Sequence, residues 1–351
     1  MAGAFRTSPC ATLAFVGDVM LGRLVNQHLR RRSPEWAWGD VLGLLQGADA
    51  VFANLECAIT HFTREWRTTP KTFHFRGDPL MIDVLRAGNI GFVNLANNHA
   101  LDYQREGLIE TIGLLDQAGI AHAGAGADAS AAAAPAFVRA GSLMVAAFGV
   151  TDNMPEAGAT ESEPGVAYVA VDIEESGPSM TDVAQARAKG ADFVVVSAHL
   201  GPNMVSAPRD PIRAYKQSLA ARGADIVHGH SAHVVQGLER AGHSLILHDA
   251  GDFIDDYAVD PQLRNDLSFL FLIDAGKEGL RRARLIPVRL YMGQVRLALE
   301  ADAEWICARM QALSRAFGIE LKRTSEGLEL DLTPNGAGAG SASKLAPEPV
   351  T

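Results

Sequence analysis

Apolar runs of strand length recur along the chain, and each stops in residues able to bind a metal or carry a proton. Residues 12–16 end at Gly17 and Asp18, residues 50–53 at Asn54 and Glu56, and residues 90–93 lead to Asn98 and His99. Residues 143–150 end at Thr151 and Asp152, 192–196 at Ser197 and His199, 225–227 at His228, His230 and His233, and 245–247 at His248 and Asp249. Helical patterns at 181–189 and 212–222 separate some of these runs, and each is followed by a glycine, Gly190 or Gly223, suited to a helix C-terminus. Alternating strands and helices predict an α/β fold with a largely parallel sheet, in which ligands bind beyond the carboxyl ends of the strands. The polar residues are therefore expected to converge.

After Asp266 the pattern changes. Residues 267–273 and 285–291 read as β runs and 301–317 as a helix with few candidate ligands, so this part is expected to be structural. Residues 125–135 are alanine-rich and read as a surface loop or a short helix. Residues 333–351 are dominated by Gly, Ser, Ala and Pro without periodicity, which predicts a disordered tail. The expected organisation is a short extension (1–10), one domain (11–332) and that tail.

Two stretches concentrate the chemistry. At 94–103 an apolar strand runs into two amides, an imidazole and a carboxylate. Asn97 and Asn98 suit a tight turn, and Asp102 can cap a helix whose apolar face is Leu108, Ile112 and Leu115. Turn and cap chemistry accounts for three of these four polar residues and leaves His99 either a loop histidine or a functional one. At 228–233 three imidazoles fall within six residues just past an apolar run, which an ordinary core does not require. His228 belongs to the strand end and is assigned a structural place. Carboxylate, amide oxygen and imidazole together suit a divalent metal ion such as Mn, Fe, Zn or Ca.

Composition narrows the classes. The 351 residues are 48% hydrophobic and 21% charged, an ordinary globular balance, and the apolar runs are too short to span a bilayer. A formal charge of -10 disfavours nucleic acid; the one short basic cluster, Arg30 to Arg32, reads as a solvated helix end. Three widely spaced cysteines argue against a disulfide framework. The first ten residues lack a basic segment followed by an apolar stretch, so no membrane association and a cytoplasmic location are expected.

The ordered motifs FVGDVMLGR (15–23), NLE (54–56), NNH (97–99) with Asp102, HLG (199–201), GH (229–230) and HVVQ (233–236) resemble those of the CapA family. That family is named for poly-γ-glutamate capsule synthesis and belongs to the calcineurin-like metallophosphoesterase superfamily. The resemblance covers residues 11–320 and implies a layered α/β/β/α sandwich. It also implies metal-site positions at Asp18, Glu56, Asn98, His199, His230 and His233, and a proton-donating role for His99. Two features depart from these patterns, the first from that of the phosphoesterases and the second from the Leu-Gly-Asn-Phe loop usual in the family. Asp18 is followed by Val19 and Met20, so the histidine of an Asp-x-His pair is missing; and residues 248–256 carry extra acids, of which Asp255 and Asp256 are expected to be solvated.

Extra carboxylates repel a phosphate but can orient an imidazole and raise its basicity. The expected function is accordingly a metal-dependent peptide epimerase, similar to a soluble CapA-like branch that inverts a Cα centre in lasso-type precursor peptides. His99 and one of His230 or His233 would transfer protons, with Asp102 and Asp252 as carboxylate partners and a precursor peptide as substrate. The alternatives are a metallophosphoesterase and a protein of poly-γ-glutamate synthesis or binding.

Overall fold

The computed structural model describes residues 10–173 and 176–333. The expected N-terminal extension up to Pro9 and the expected tail, Thr333 apart, lie outside the described residues. Four strands of the first sheet come first: β1 (Ala11–Val19), β2 (Ala50–Leu55), β3 (Ile90–Asn94) and β4 (Ala121–Ala123), paired in parallel in that order. The chain then builds a second sheet of six strands, β5 (Ala136–Ala140), β6 (Leu143–Thr151), β7 (Phe193–His199), β8 (Ile226–His230), β9 (Leu238–Ala241) and β10 (Ser244–Leu247). Their spatial order is β9-β10-β8-β7-β6-β5, parallel from β10 through β6 with an antiparallel strand at each edge.

The last third returns to the first sheet. β11 (Asp252–Ile254) pairs in parallel with the end of β1, placing Asp252 opposite Asp18. β12 (Leu267–Gly276) runs antiparallel along residues 11–15, and β13 (Gly279–Tyr291), β14 (Gln294–Leu297), β15 (Lys322–Arg323) and β16 (Leu328–Asp331) extend that edge. The sheet reaches ten strands. The largely parallel sheet read from the strand pattern is therefore two large sheets, the number of β layers that the family resemblance implies. Parallel strands buried on both faces are apolar at every position, so their pattern does not say which sheet they join.

Successive residues of a strand feed different cores. Leu13, Phe15, Phe52 and Phe92 of the first sheet share an apolar cluster with Val145, Phe193, Val195, Ile226 and Leu247 of the second. Their neighbours Ala14, Val16, Val51 and Val93 instead pack with Trp38, Leu45, Leu85, Leu108 and Leu115. On the second sheet, Phe148, Val194, Val196 and Val227 pack with Val183, Ile212 and Leu219, from the helices Met180–Ala188 and Asp210–Ala221. Those helices fall where the sequence places them, followed by Gly190 and Gly223 at φ +98 and +105. The C-terminal helix is Glu300–Arg315, and residues 125–135 hold a short strand, Ala125–Gly126, and a short helix, Ala129–Ala133.

Two glycines permit the close approach that brings the strand ends together. A Cβ on Gly17 would lie 1.9 Å from the Gly251 carbonyl oxygen, and one on Gly229 would lie 2.0 Å from that of His248. Only a residue without a side chain fits either place. Among the described residues no helix is long and apolar enough to cross a membrane.

Candidate metal centre

Asp18 enters from β1, Glu56 follows β2, Asn98 and His99 follow β3, His199 and His230 are the last residues of β7 and β8, His233 lies just beyond, and Asp252 opens β11. Asp18, Glu56, His233 and Asp252 form the tightest group, with one ligand atom from each all within 4.8 Å of one another. His230 joins it, its Nδ1 3.1 Å from Asp18 Oδ1. His199 joins through Asn54, whose amide donates to Asp18 Oδ1 (2.8 Å) and to His199 Nδ1 (3.2 Å). Asn98 is only partly buried, but its side-chain oxygen is enclosed and accepts no hydrogen bond.

Two histidines are each paired with a carboxylate. His99 Nδ1 lies 2.6 Å from Asp102 Oδ2, and His233 Nδ1 lies 2.8 Å from Asp252 Oδ1. Their Nε2 atoms lie 4.0 and 3.8 Å from the same oxygen, Glu56 Oε1. The turn carrying His233 is held in left-handed backbone at Ser231 (φ +103) and His233 (φ +58), and Asp249 fixes it by accepting from Ala232 N at 2.8 Å. Such strain in non-glycine residues persists only where the surroundings enforce it.

His228 does not face this group. Its Nε2 approaches the Val16 carbonyl oxygen at 3.0 Å and its Nδ1 lies 3.2 Å from His230 Nε2, so it braces His230 from inside the core. Asp102 is not a helix cap. The helix Gln104–Ala118 begins without a side-chain cap, and the Asp102 carboxylate is taken by His99, the Phe75 amide (2.6 Å) and the Lys71 ammonium. Asp255 is buried, and Asp256 is partly buried with its side chain enclosed, so neither carboxylate is solvated. Asp255 Oδ1 accepts from Tyr257 N at 3.0 Å, and Asp256 meets Leu24 N at 2.9 Å and Arg23 Nε at 3.4 Å, partners distant in sequence.

Burial dominates the electrostatics. It pushes the Glu56 carboxyl up to about 8 and lowers His199 to about 3 and His99 to about 4, so those imidazoles are neutral at pH 7. Burial also opposes the charge on Asp18, yet His230 and His233 beside it hold its carboxyl well below the usual range. Burial raises Asp252 well above that range. For His233 burial is outweighed by Asp252, Glu56 and Asp18, which raise its imidazole.

Three carboxylates packed this closely cannot all ionise without a cation. Asp18 Oδ2, Glu56 Oε1, Asp252 Oδ2 and Asn98 Oδ1 are all buried acceptors without a hydrogen-bond donor, a costly arrangement that a divalent ion would relieve. The donor set fits a metal of hard or borderline character. Sequence reasoning missed Lys71, which lies in a loop without periodicity, and Tyr257, whose hydroxyl donates to Glu56 Oε2 at 3.1 Å. An aromatic residue ending the acidic run 252–256 was the available signal for Tyr257.

Residues 12–257 match the family model for the bacterial capsule synthesis protein PGA_cap. The chain belongs to the PGA_cap family. This PGA_cap protein is 29% identical to a probable polyglutamine synthesis accessory protein of Mycobacterium tuberculosis, across 92% of this chain and 96% of the relative. It is 28% identical to the PGA biosynthesis protein CapA of Bacillus subtilis, across 79% of this chain and 71% of that protein. The capsule biosynthesis protein CapA of Bacillus anthracis is 27% identical, with coverage of 70% and 60%.

Proposed function

We propose that this PGA_cap protein acts in the synthesis of a glutamate polymer, through catalysis at a divalent-ion centre formed by Asp18, Glu56, His233 and Asp252 with His199, His230 and Asn98 around it. The observation that carries this reading is the family match across residues 12–257, which includes every residue of that centre. The relatives' names favour polymer synthesis over the peptide inversion expected from the sequence. We read the three apolar clusters as an α/β/β/α stack with the centre at one end of both sheets. A divalent ion of Mn, Fe, Zn or Ca type would supply positive charge to stabilise an anion on the substrate. His99, neutral and held by Asp102, would hold or move a proton at Nε2.

The test is genetic and chemical. Deletion of the gene should remove the cell's acidic glutamate polymer, the wild-type gene should restore it, and Asp18→Asn should not. Normal polymer in the deletion strain would overturn the reading.

One observation favours a second reading. Two histidine–carboxylate pairs reach the same oxygen of Glu56, an arrangement suited to proton removal and return at a Cα centre of a peptide by a cytoplasmic enzyme. Incubation with acidic peptides in heavy water should then introduce deuterium at Cα and yield the D-residue. Neither deuterium nor inversion would leave the polymer reading alone.

A further inference from the structure

Residues 61–76 stand apart from the rest of the chain in composition. In a protein of formal charge -10, this segment carries four Lys or Arg (Arg64, Arg67, Lys71, Arg76) against one Glu, interleaved with Phe62, Trp66, Phe73 and Phe75. It is mostly irregular backbone, yet it is fastened to the centre. Asp102 holds it three times: its carboxylate accepts from Lys71 Nζ and from Phe75 N, and its carbonyl oxygen accepts from Trp66 N at 2.8 Å. The Phe75 ring stacks on His99 with centroids 3.8 Å apart, and Lys71 also donates to the Asn98 carbonyl oxygen. Outward of Phe75 the side chains open to solvent. Phe73 is 55% exposed, with the Arg23 guanidinium 5.2 Å from its ring and 5.6 Å from that of Phe75.

The cations are unequally engaged. Lys71 is bound to Asp102, Arg23 meets Asp256, and Arg64 makes an exposed pair with Glu106. Arg67 is exposed, Arg76 is partly buried over the Tyr103 ring, and neither has an ion pair among the described residues. Guanidiniums without ion pairs among aromatic faces, on a segment fastened to the buried centre, complement a chain of carboxylates rather than a neutral chain.

We propose that residues 61–76 are the docking surface for an acidic polypeptide, a glutamate polymer with free carboxylates, and that Arg67 and Arg76 receive those carboxylates on the segment that Phe75 holds against His99. This inference rests on the polymer reading of the function. It assigns the partner-binding surface independently of any turnover.

Fluorescence anisotropy of labelled poly-γ-glutamate with the full-length protein tests it. Wild type should bind, more weakly as salt rises, while uncharged polyglutamine of equal length should not. Arg67→Gln with Arg76→Gln should weaken binding about tenfold, as expected for two charge contacts. Arg139→Glu, an exposed position on β5 with the same change in net charge, should leave binding unchanged. Arg67→Gln alone, at an exposed position, should weaken binding severalfold with an unaltered melting curve. Wild-type affinity in the double variant would overturn the docking surface and leave the polymer reading standing. No binding of the polymer to wild type would overturn both. Equal binding of a single-stranded oligonucleotide would overturn the commitment to a polypeptide.

Discussion

Asp18, Glu56 and Asp252 each bury a carboxylate oxygen that no donor reaches, a cost that a bound cation would relieve. An ion present at about a hundred times its Kd should stabilise the wild type by about 2.7 kcal/mol. That appears as a rise of several degrees in the melting temperature, reversed by chelation. Asp252→Asn, which removes one candidate ligand, should gain much less from added metal. Differential scanning fluorimetry with and without Mn or Zn reads both effects. At this scale much was legible in the sequence, because acids and imidazoles at the ends of apolar runs have few other uses. The fate of Asp102 was not. Its partners Lys71 and Phe75 lie in a segment whose conformation no local pattern dictates, and they turn an apparent helix cap into the anchor of His99.

The helix Asp210–Ala221 shows what one element contributes beyond packing. It buries Ile212, Tyr215 and Leu219 against the second sheet, but it also carries Lys216, which is 1% exposed and whose ammonium donates to the His248 carbonyl oxygen. Burial is the largest influence on this amine and lowers it from 10.5 to about 8. Between those two values the unfolded chain holds a proton that the folded protein has released, so stability rises with pH across that window. Urea unfolding of wild type and Lys216→Met should therefore show the difference moving in favour of wild type from about pH 8 to about pH 10. A difference constant with pH would mean the amine is not desolvated. The helix itself was legible from its period and its terminal glycine. The buried lysine was not, because a cation on a helix reads as solvent-facing until the covering strand is known.

The whole molecule depends on the cluster shared by the two sheets. Phe52 is fully buried there, 4.9 Å from Phe15 and 5.5 Å from Phe92 between ring centroids. Phe52→Ala should cost about 3–5 kcal/mol in chemical denaturation. It should also weaken metal binding, since β1 and β2 carry Asp18 and Glu56 from that core. The parallel character of the strands was legible from apolar runs without alternation. The division into two sheets was not legible from that pattern, since Val51 and Phe52 are both apolar although they serve opposite faces; only the family resemblance implied two β layers.

The return of the chain to its first sheet has a consequence for the order in which the protein is made. Asp18 and Asp252 face each other across β1 and β11, yet one leaves the ribosome early and the other only after the whole second sheet has been synthesised. A nascent or truncated chain ending before β11 lacks a quarter of the ligand group, along with the neighbour that fills the space beside Gly17. Acquisition of an ion at this candidate centre would thereby be deferred to chains that have reached β11, and a loaded centre would be a chemical signature that the N-terminal and C-terminal parts of one chain have met.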